Sequence, residues 1–81
     1  MSEPAMTESV RRVLTEDCLT LSEARSEIKQ ATGRRPDKTT VYRWVNRGVG
    51  GTKLEAVRLG GVIITSRQAI TRFIDARSAK R

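Results

Sequence analysis

The chain has 81 residues and a formal net charge of +7, from 16 Lys or Arg against 9 Asp or Glu, which predicts one small basic domain. A single cysteine, Cys18, and no histidine exclude an internal disulfide and a Cys/His zinc site, and they favour a reducing compartment. No apolar run is long enough for a signal peptide or a membrane span, so we expect a cytoplasmic protein without a membrane partner.

The first 18 residues predict a tail followed by a short helical extension. Residues 1–6 lack hydrophobic periodicity, and we interpret them as disordered. Within the extension, residues 7–18, Thr7 is expected to cap a helix over 8–16. One side of that helix carries Val10, Val13 and Leu14. Packing of this helix on the domain and a frayed extension that packs little remain alternatives. We expect Cys18 to be a small buried residue near the next helix start.

Thr20 and Glu23 form a capping box, which predicts that a helix begins here, because each side chain satisfies a free amide of the first turn. An apolar stripe at helical spacing follows, made of Leu21, Ala24, Ile28 and Ala31. Gly33 can adopt the left-handed conformation that ends a helix. Residues 34–36 are therefore predicted to form a turn.

Asp37 is a good N-cap for a second helix over about 38–47, which Gly48 ends. The spacing of Val41, Trp44 and Val45 places them on its buried face. The opposite, polar face carries Thr39, Tyr42, Arg43, Asn46 and Arg47. Gly50 and Gly51 are expected to open a flexible link.

A hairpin is predicted from Leu54 to Leu59 and from Val62 to Thr65, because Gly60-Gly61 suits a two-residue turn with positive φ. Thr65 and Gln68 read as another capping box, so a third helix is predicted over about 66–78. Its apolar stripe consists of Ala69, Ile70, Phe73 and Ile74. Residues 79–81 are expected to form a loose basic tail.

These elements predict an α+β fold, mostly α: a winged helix-turn-helix over residues 19–78, with a helix-turn-helix, a two-stranded β-hairpin wing and a C-terminal helix. A two-stranded hairpin is not stable alone and must pack on the helices. The charge is also uneven, since residues 1–17 carry −2 and residues 18–81 carry +9. A domain of that charge attracts polyanions, although a solubilising basic surface is the alternative.

From Leu19 to Ile74 the sequence resembles the excisionase-like, MerR-type winged-helix families of bacteria and phages. The resemblance rests on the segments 19–24, 40–44, 58–61, 69–70 and 73–74, and is closest to an uncharacterised bacterial subgroup of short proteins with a stretch like that of 54–61. It implies a DNA-binding protein, architectural or regulatory, that directs site-specific recombination with an integrase or another DNA-bound protein as partner. Two departures are a longer segment between Ala24 and Thr40 and an apolar return strand at 62–64.

Candidate contact residues follow from the polar face of the second helix and the basic residues beside it. In helix-turn-helix docking, residues near the start of the recognition helix face base edges, and Arg can bond guanine while Asn can pair with adenine. We predict base readout by Lys38, Thr39, Tyr42, Arg43 and Asn46. We predict phosphate contacts from Arg34, Arg35, Arg47, Lys53 and Arg58. Gly60 and Gly61 form the wing turn.

Each candidate has a structural alternative. Asn46 is typical of a helix end, and Tyr42 can lean on the core edge. Arg72 and Arg77 are interpreted as a solvated face, and Trp44 as core. We expect no enzyme, because no histidine is present to act as a base and Cys18 lacks a base partner. No cofactor is expected.

Three functions remain open. The leading one is the excisionase-like DNA binder, and a transcription regulator is the second. A protein-interaction module that docks through the 62–64 strand is the third. The partner is expected to be double-stranded DNA in the first two cases, and the free protein is expected to be a monomer because the chain has no heptad seam.

Overall fold

Residues 8–79, which the computed structural model describes, form four helices and a three-stranded antiparallel sheet, confirming the α+β class. Their order along the chain is α1 (Glu8–Leu14), β1 (Cys18–Thr20), α2 (Leu21–Thr32), α3 (Lys38–Asn46), β2 (Val57–Leu59), β3 (Val62–Ser66) and α4 (Arg67–Ala79). The predicted tail over 1–6 and the cap at Thr7 lie outside the described residues.

The sheet has three strands where the sequence predicted a two-stranded hairpin. β3 lies in the centre and pairs with β2 across the Gly60-Gly61 turn and with β1 on its other edge. β1 is stabilised by pairing such as Leu19 opposite Thr65, which no local sequence signal reveals. The prediction of a buried Cys18 was wrong, because Cys18 lies at the start of this edge strand and is exposed.

The core gathers the apolar faces of all four helices and the sheet. Its buried members are Val13, Leu19, Ala24, Ile28, Val41, Leu54, Val57, Ala69, Ile70 and Phe73. Trp44 is partly buried and packs on this core, with its ring centroid 5.1 Å from that of Phe73. Val13 is fully buried, so α1 packs on the domain, whereas Leu14 and Ala31 of the predicted stripes are exposed.

The predicted starts of α2 and α3 are confirmed by their caps. The Thr20 backbone N–H donates to Glu23 Oε1 at 2.9 Å, and the Glu23 N–H donates to Thr20 Oγ1 at 3.2 Å. Asp37 accepts from the Thr40 N–H at 2.9 Å. Gly33 ends α2 at φ 85°, in the left-handed region. The turn between α2 and α3 is therefore fixed at both ends.

The predicted capping box at Thr65 was wrong, because β3 continues to Ser66 and α4 begins one residue later. Ser66 Oγ accepts from the Ala69 N–H at 2.8 Å and is the side chain that caps α4. The Thr65 hydroxyl instead donates to the Glu55 carbonyl, and Gln68 accepts from the Asp17 N–H. Both side chains are thus used to hold distant segments.

The segment between α3 and the hairpin is more compact than predicted. Residues 49–52 form a tight turn closed by two backbone hydrogen bonds of 2.8 and 3.0 Å between Val49 and Thr52, in place of the expected flexible link. Leu54 was predicted to begin a strand, but its N–H donates to the Trp44 carbonyl, and β2 begins at Val57. The chain therefore returns against α3 before the hairpin starts.

Candidate nucleic-acid interface

α3 presents a polar face because its apolar residues point into the core. Val41 is 1% exposed, whereas Lys38 at the helix start and four of the five polar-face residues are exposed, and the fifth, Tyr42, is half-buried. The exposed ones are Lys38, Thr39, Arg43, Asn46 and Arg47. Hydrogen bonds from Thr40 lower the pKa of the Asp37 carboxyl, because they stabilise the ionised form that caps α3.

The β2–β3 hairpin adjoins this face of α3. Arg58 donates from Nη2 to the Asn46 Oδ1, which joins a predicted phosphate contact to a predicted base contact. The amide oxygen that Asn46 would use toward adenine is therefore already engaged by Arg58. Gly60, at φ 63°, and Gly61 form the exposed turn of the hairpin. Of these two glycines, Gly60 has a positive φ and Gly61 does not, as in a type II′ turn.

Lys53 follows the tight turn over 49–52 and lies at the C-terminal end of α3. A β-carbon at Gly48 would stand 2.8 Å from Lys53 Cγ and 2.4 Å from the Thr52 carbonyl oxygen, so the returning chain passes directly over Gly48. Gly48 follows Arg47, the C-cap of α3. The structure thus brings Lys53 to the end of α3, next to Arg47 in the fold.

Arg34 and Arg35 are exposed in the turn before α3, but they line a different surface. They border a groove of about 620 Å³ whose wall on α3 is made by Thr40 and Trp44. Successive residues of a helix are rotated by 100° about its axis, so Thr40 and Trp44 lie beside Arg47 on α3. They face away from Lys38, Thr39 and Asn46. The structure therefore separates Arg34 and Arg35 from the centre of the polar face.

Four carboxylates are instead paired with arginines of α1 and α4. Arg72 pairs with Glu16 at 2.7 Å and with Glu55, and Glu55 also pairs with Arg12 at 3.3 Å. Hydrogen bonds to Glu16 and Glu55 raise the pKa of Arg72, and the bond from Arg72 is the largest cause that lowers the pKa of Glu16. Arg72, interpreted from sequence as solvated, instead joins α4 to two distant segments.

A second set of ion pairs involves Arg67 at the start of α4. Arg67 pairs with Glu27 of α2 at 2.9 Å and more loosely with Asp17 at 3.9 Å. The five basic residues on and beside the polar face of α3 have no ion pair to any residue of 8–79. We call this set the α3 cation cluster: Lys38, Arg43, Arg47, Lys53 and Arg58.

Sequence reasoning missed two arginines that the fold uses near α3. Arg25 of α2 donates from Nε to the Pro36 carbonyl at 2.9 Å, and with Lys38 it lines a shallow depression between the starts of α2 and α3. The Arg77 guanidinium lies 6.0 Å from the Trp44 ring centroid and 5.6 Å from that of Phe73. Helical spacing places Arg25 and Arg77 on polar faces, but it carries no signal of these partners.

The described residues offer no group of three or more His, Cys, Asp or Glu side chains that could hold a metal ion. Over the same part of the chain, no helix has both the length and the apolar character needed to cross a membrane.

A family model described as "Protein of unknown function (DUF1580)" matches residues 24–78, from α2 through α3 and the hairpin to α4. No curated protein and no solved structure matches the chain. The match covers the whole α3 cation cluster, while α1 and β1 precede it. It names no activity, so the resemblance to excisionase and MerR proteins stays a prediction.

Proposed function

Since the chain belongs to the DUF1580 family, whose description names no activity, we propose from its geometry that it binds double-stranded DNA as a winged helix-turn-helix. In this proposal α2 and α3 are the helix-turn-helix, α3 is the recognition helix, and the β2–β3 hairpin is the wing. The order of helices and strands and the bond between Arg58 and Asn46, which sets the hairpin beside α3, support this assignment.

One observation carries the proposal: the ion pairs of the described residues lie around α1 and α4, and none of them involves the cations around α3. Glu16, Asp17, Glu27 and Glu55 are paired with arginines around α1 and α4. The α3 cation cluster forms no such ion pair among the described residues. The Asp37 carboxylate that caps α3 acts electrostatically on Arg43, but the five cations outnumber this one acid. Cations held on one rigid helix and an adjoining hairpin suit a polyanion with regularly spaced phosphates.

The proposed contacts divide by chemistry. Arg47, Lys53 and Arg58 lie at the end of α3 and on the hairpin, where they would contact phosphates and release counterions. Arg43, one turn into α3, would donate two hydrogen bonds to guanine, with Lys38 and Thr39 at the helix start. Tyr42 and Asn46 remain predicted base contacts on the same face. Arg34 and Arg35 remain predicted phosphate contacts at its margin.

The proposed role is architectural or regulatory and not enzymatic. The resemblance to excisionases suggests that the protein binds near recombination sites, bends DNA and acts with an integrase. Control of transcription is the alternative within DNA binding. Both roles need the same interface, and the identity of the target sequence separates them.

A binding selection tests the proposal without a known target. Sequences are selected from a random duplex pool, and the preferred duplex and a scrambled control are then titrated at several salt concentrations. We expect affinity to fall steeply with salt for both duplexes, and the preferred one to bind more tightly. Arg43→Ala should cost about 1–3 kcal/mol on the preferred duplex and less on the control. A shallow salt dependence for the wild type would refute DNA binding.

The exposed end of the hairpin favours a second candidate function, docking of a partner protein through the wing. Leu59 and Val62 pair across the turn and are 57% and 51% exposed. Ile63, which the sequence included in this surface, is buried and cannot take part. A Leu59→Ser and Val62→Ser variant that binds DNA normally but loses a partner protein would support this function.

A further inference from the structure

We propose that the groove between α2, α3 and α4 is a second binding site, which takes an acidic segment of a partner protein anchored by bulky apolar side chains. The groove has a volume of about 620 Å³. It is built from side chains that the proposed recognition face leaves unused, apart from the two turn arginines at its margin. The inference does not depend on DNA binding.

The floor of the groove is apolar and partly aromatic. It is formed by Ile28 of α2, Trp44 of α3, and Ile70, Phe73 and Ile74 of α4. Trp44 and Ile74 are only partly buried although both pack on the core, so they leave apolar surface open to a ligand. Burial of aromatic surface is a main source of affinity in protein interfaces.

The rim of the groove is cationic. Arg34 and Arg35 lie on one side and Arg77 on the other, and all three are exposed and without an ion pair within residues 8–79. The Arg77 guanidinium lies over the Trp44 and Phe73 rings. Arg77 forms no ion pair with a described residue, so its guanidinium N–H groups remain available to a carboxylate.

This combination selects the occupant by charge and shape. No Asp or Glu is among the described residues that line the groove, so an acidic ligand meets no like charge there. Along α4 the lining extends from Ile70 to Ser78, a distance of about 12 Å at 1.5 Å per residue, which suits two turns of a helix or a short extended segment. An apolar anchor would enter between Trp44 and Ile74, and its acidic neighbours would meet the rim arginines.

The test uses the full chain and does not require a known partner. Short random peptides displayed on phage are selected on the wild type, and the affinities of the selected peptides are measured by fluorescence anisotropy. The groove variant carries Arg34→Gln, Arg35→Gln and Arg77→Gln. We expect the selected peptides to combine acidic with bulky apolar residues, and to bind the groove variant about tenfold more weakly, as three exposed charge pairs together would give.

A charge-matched control separates this site from the α3 face. The control variant carries Lys38→Gln, Lys53→Gln and Arg58→Gln, which lowers the net charge by the same amount at positions that do not line the groove. We expect it to bind the selected peptides like the wild type. Equal losses in both variants would show attraction by net charge alone and overturn the proposal. A loss confined to the control variant would show that acidic peptides mimic DNA on α3, which also overturns it.

Two further outcomes would refute the proposal that the groove binds an acidic segment of a partner protein. Selection without enrichment of acidic and apolar residues would show that the groove does not bind such segments. A wild type that sediments as a dimer, with a monomeric groove variant, would assign the groove to a second copy of the chain. Peptide-induced amide shifts confined to the end of α2, to the turn over 33–36 and to the facing surfaces of α3 and α4 are the expected positive result.

Discussion

The dependence of DNA affinity on salt is the most direct measure of the α3 cation cluster, and Arg47→Gln perturbs it by one charge. With the three phosphate contacts proposed for this cluster and two more from Arg34 and Arg35, log K should fall against log salt with a slope of about −4.5. Removing Arg47 should make the slope shallower by about 0.9 and weaken binding to preferred and scrambled duplexes alike. Because Arg47 is exposed and forms no ion pair with a described residue, folding should be unaffected.

Arg67→Gln is the matched control, since it removes the same charge from another exposed arginine. Arg67 lies at the start of α4 and pairs with Glu27 and Asp17, so it has no free charge to offer to a phosphate. We expect its salt slope to equal that of the wild type, measured by fluorescence anisotropy on one duplex. If Arg47→Gln and Arg67→Gln make the salt slope shallower by the same amount, the DNA interface does not lie at α3. That result would refute the inference that the unpaired cations mark the interface.

Three other predictions concern stability and assembly. Phe73→Ala should lower the free energy of unfolding by about 3–5 kcal/mol in urea denaturation, and more than Trp44→Ala, because Phe73 is 3% exposed and Trp44 only partly buried; equal losses would contradict this packing. The hydrogen bond from Arg72 lowers the pKa of Glu16 below its ordinary 4.5. The ionised Glu16 therefore stabilises the folded protein above pH 4.5, and this stabilisation is lost as the pH falls through the lowered pKa. Glu16→Gln should flatten the acid limb of stability against pH, and an unchanged limb would exclude this cause. Sedimentation should find a monomer at micromolar concentration, and a stable dimer would refute that expectation.

Most helix boundaries could be predicted because their signals lie within a few residues. The capping box of Thr20 and Glu23, the cap at Asp37 and the left-handed Gly33 each act through hydrogen bonds inside one turn. Thr65 failed as a cap for the opposite reason. Its hydroxyl donates to Glu55, 10 residues away, and no local pattern predicts that bond.

The sequence predicted which residues of α3 face solvent, but it did not predict how the residues of the candidate interface contact one another. Helical periodicity correctly placed Thr39, Arg43 and Arg47 on the solvent side of α3, because Val41 must be buried. It could not reveal that Arg58 meets Asn46. The sequence also could not reveal which of the other cations form ion pairs, because the partner carboxylate can lie anywhere in the sequence.

The sequence by itself therefore determined the helices, the hairpin turn and the basic character of the domain. These properties depend on side-chain periodicity, on hydrogen bonds across three or four residues, and on composition. Only the tertiary structure decided that β1 pairs with β3, that Arg72 meets Glu16 56 residues away, and that Arg34 borders a groove. Such contacts form when packing of the core brings distant segments together, and that packing leaves the cations of α3 exposed while Arg67 and Arg72 of α4 are paired.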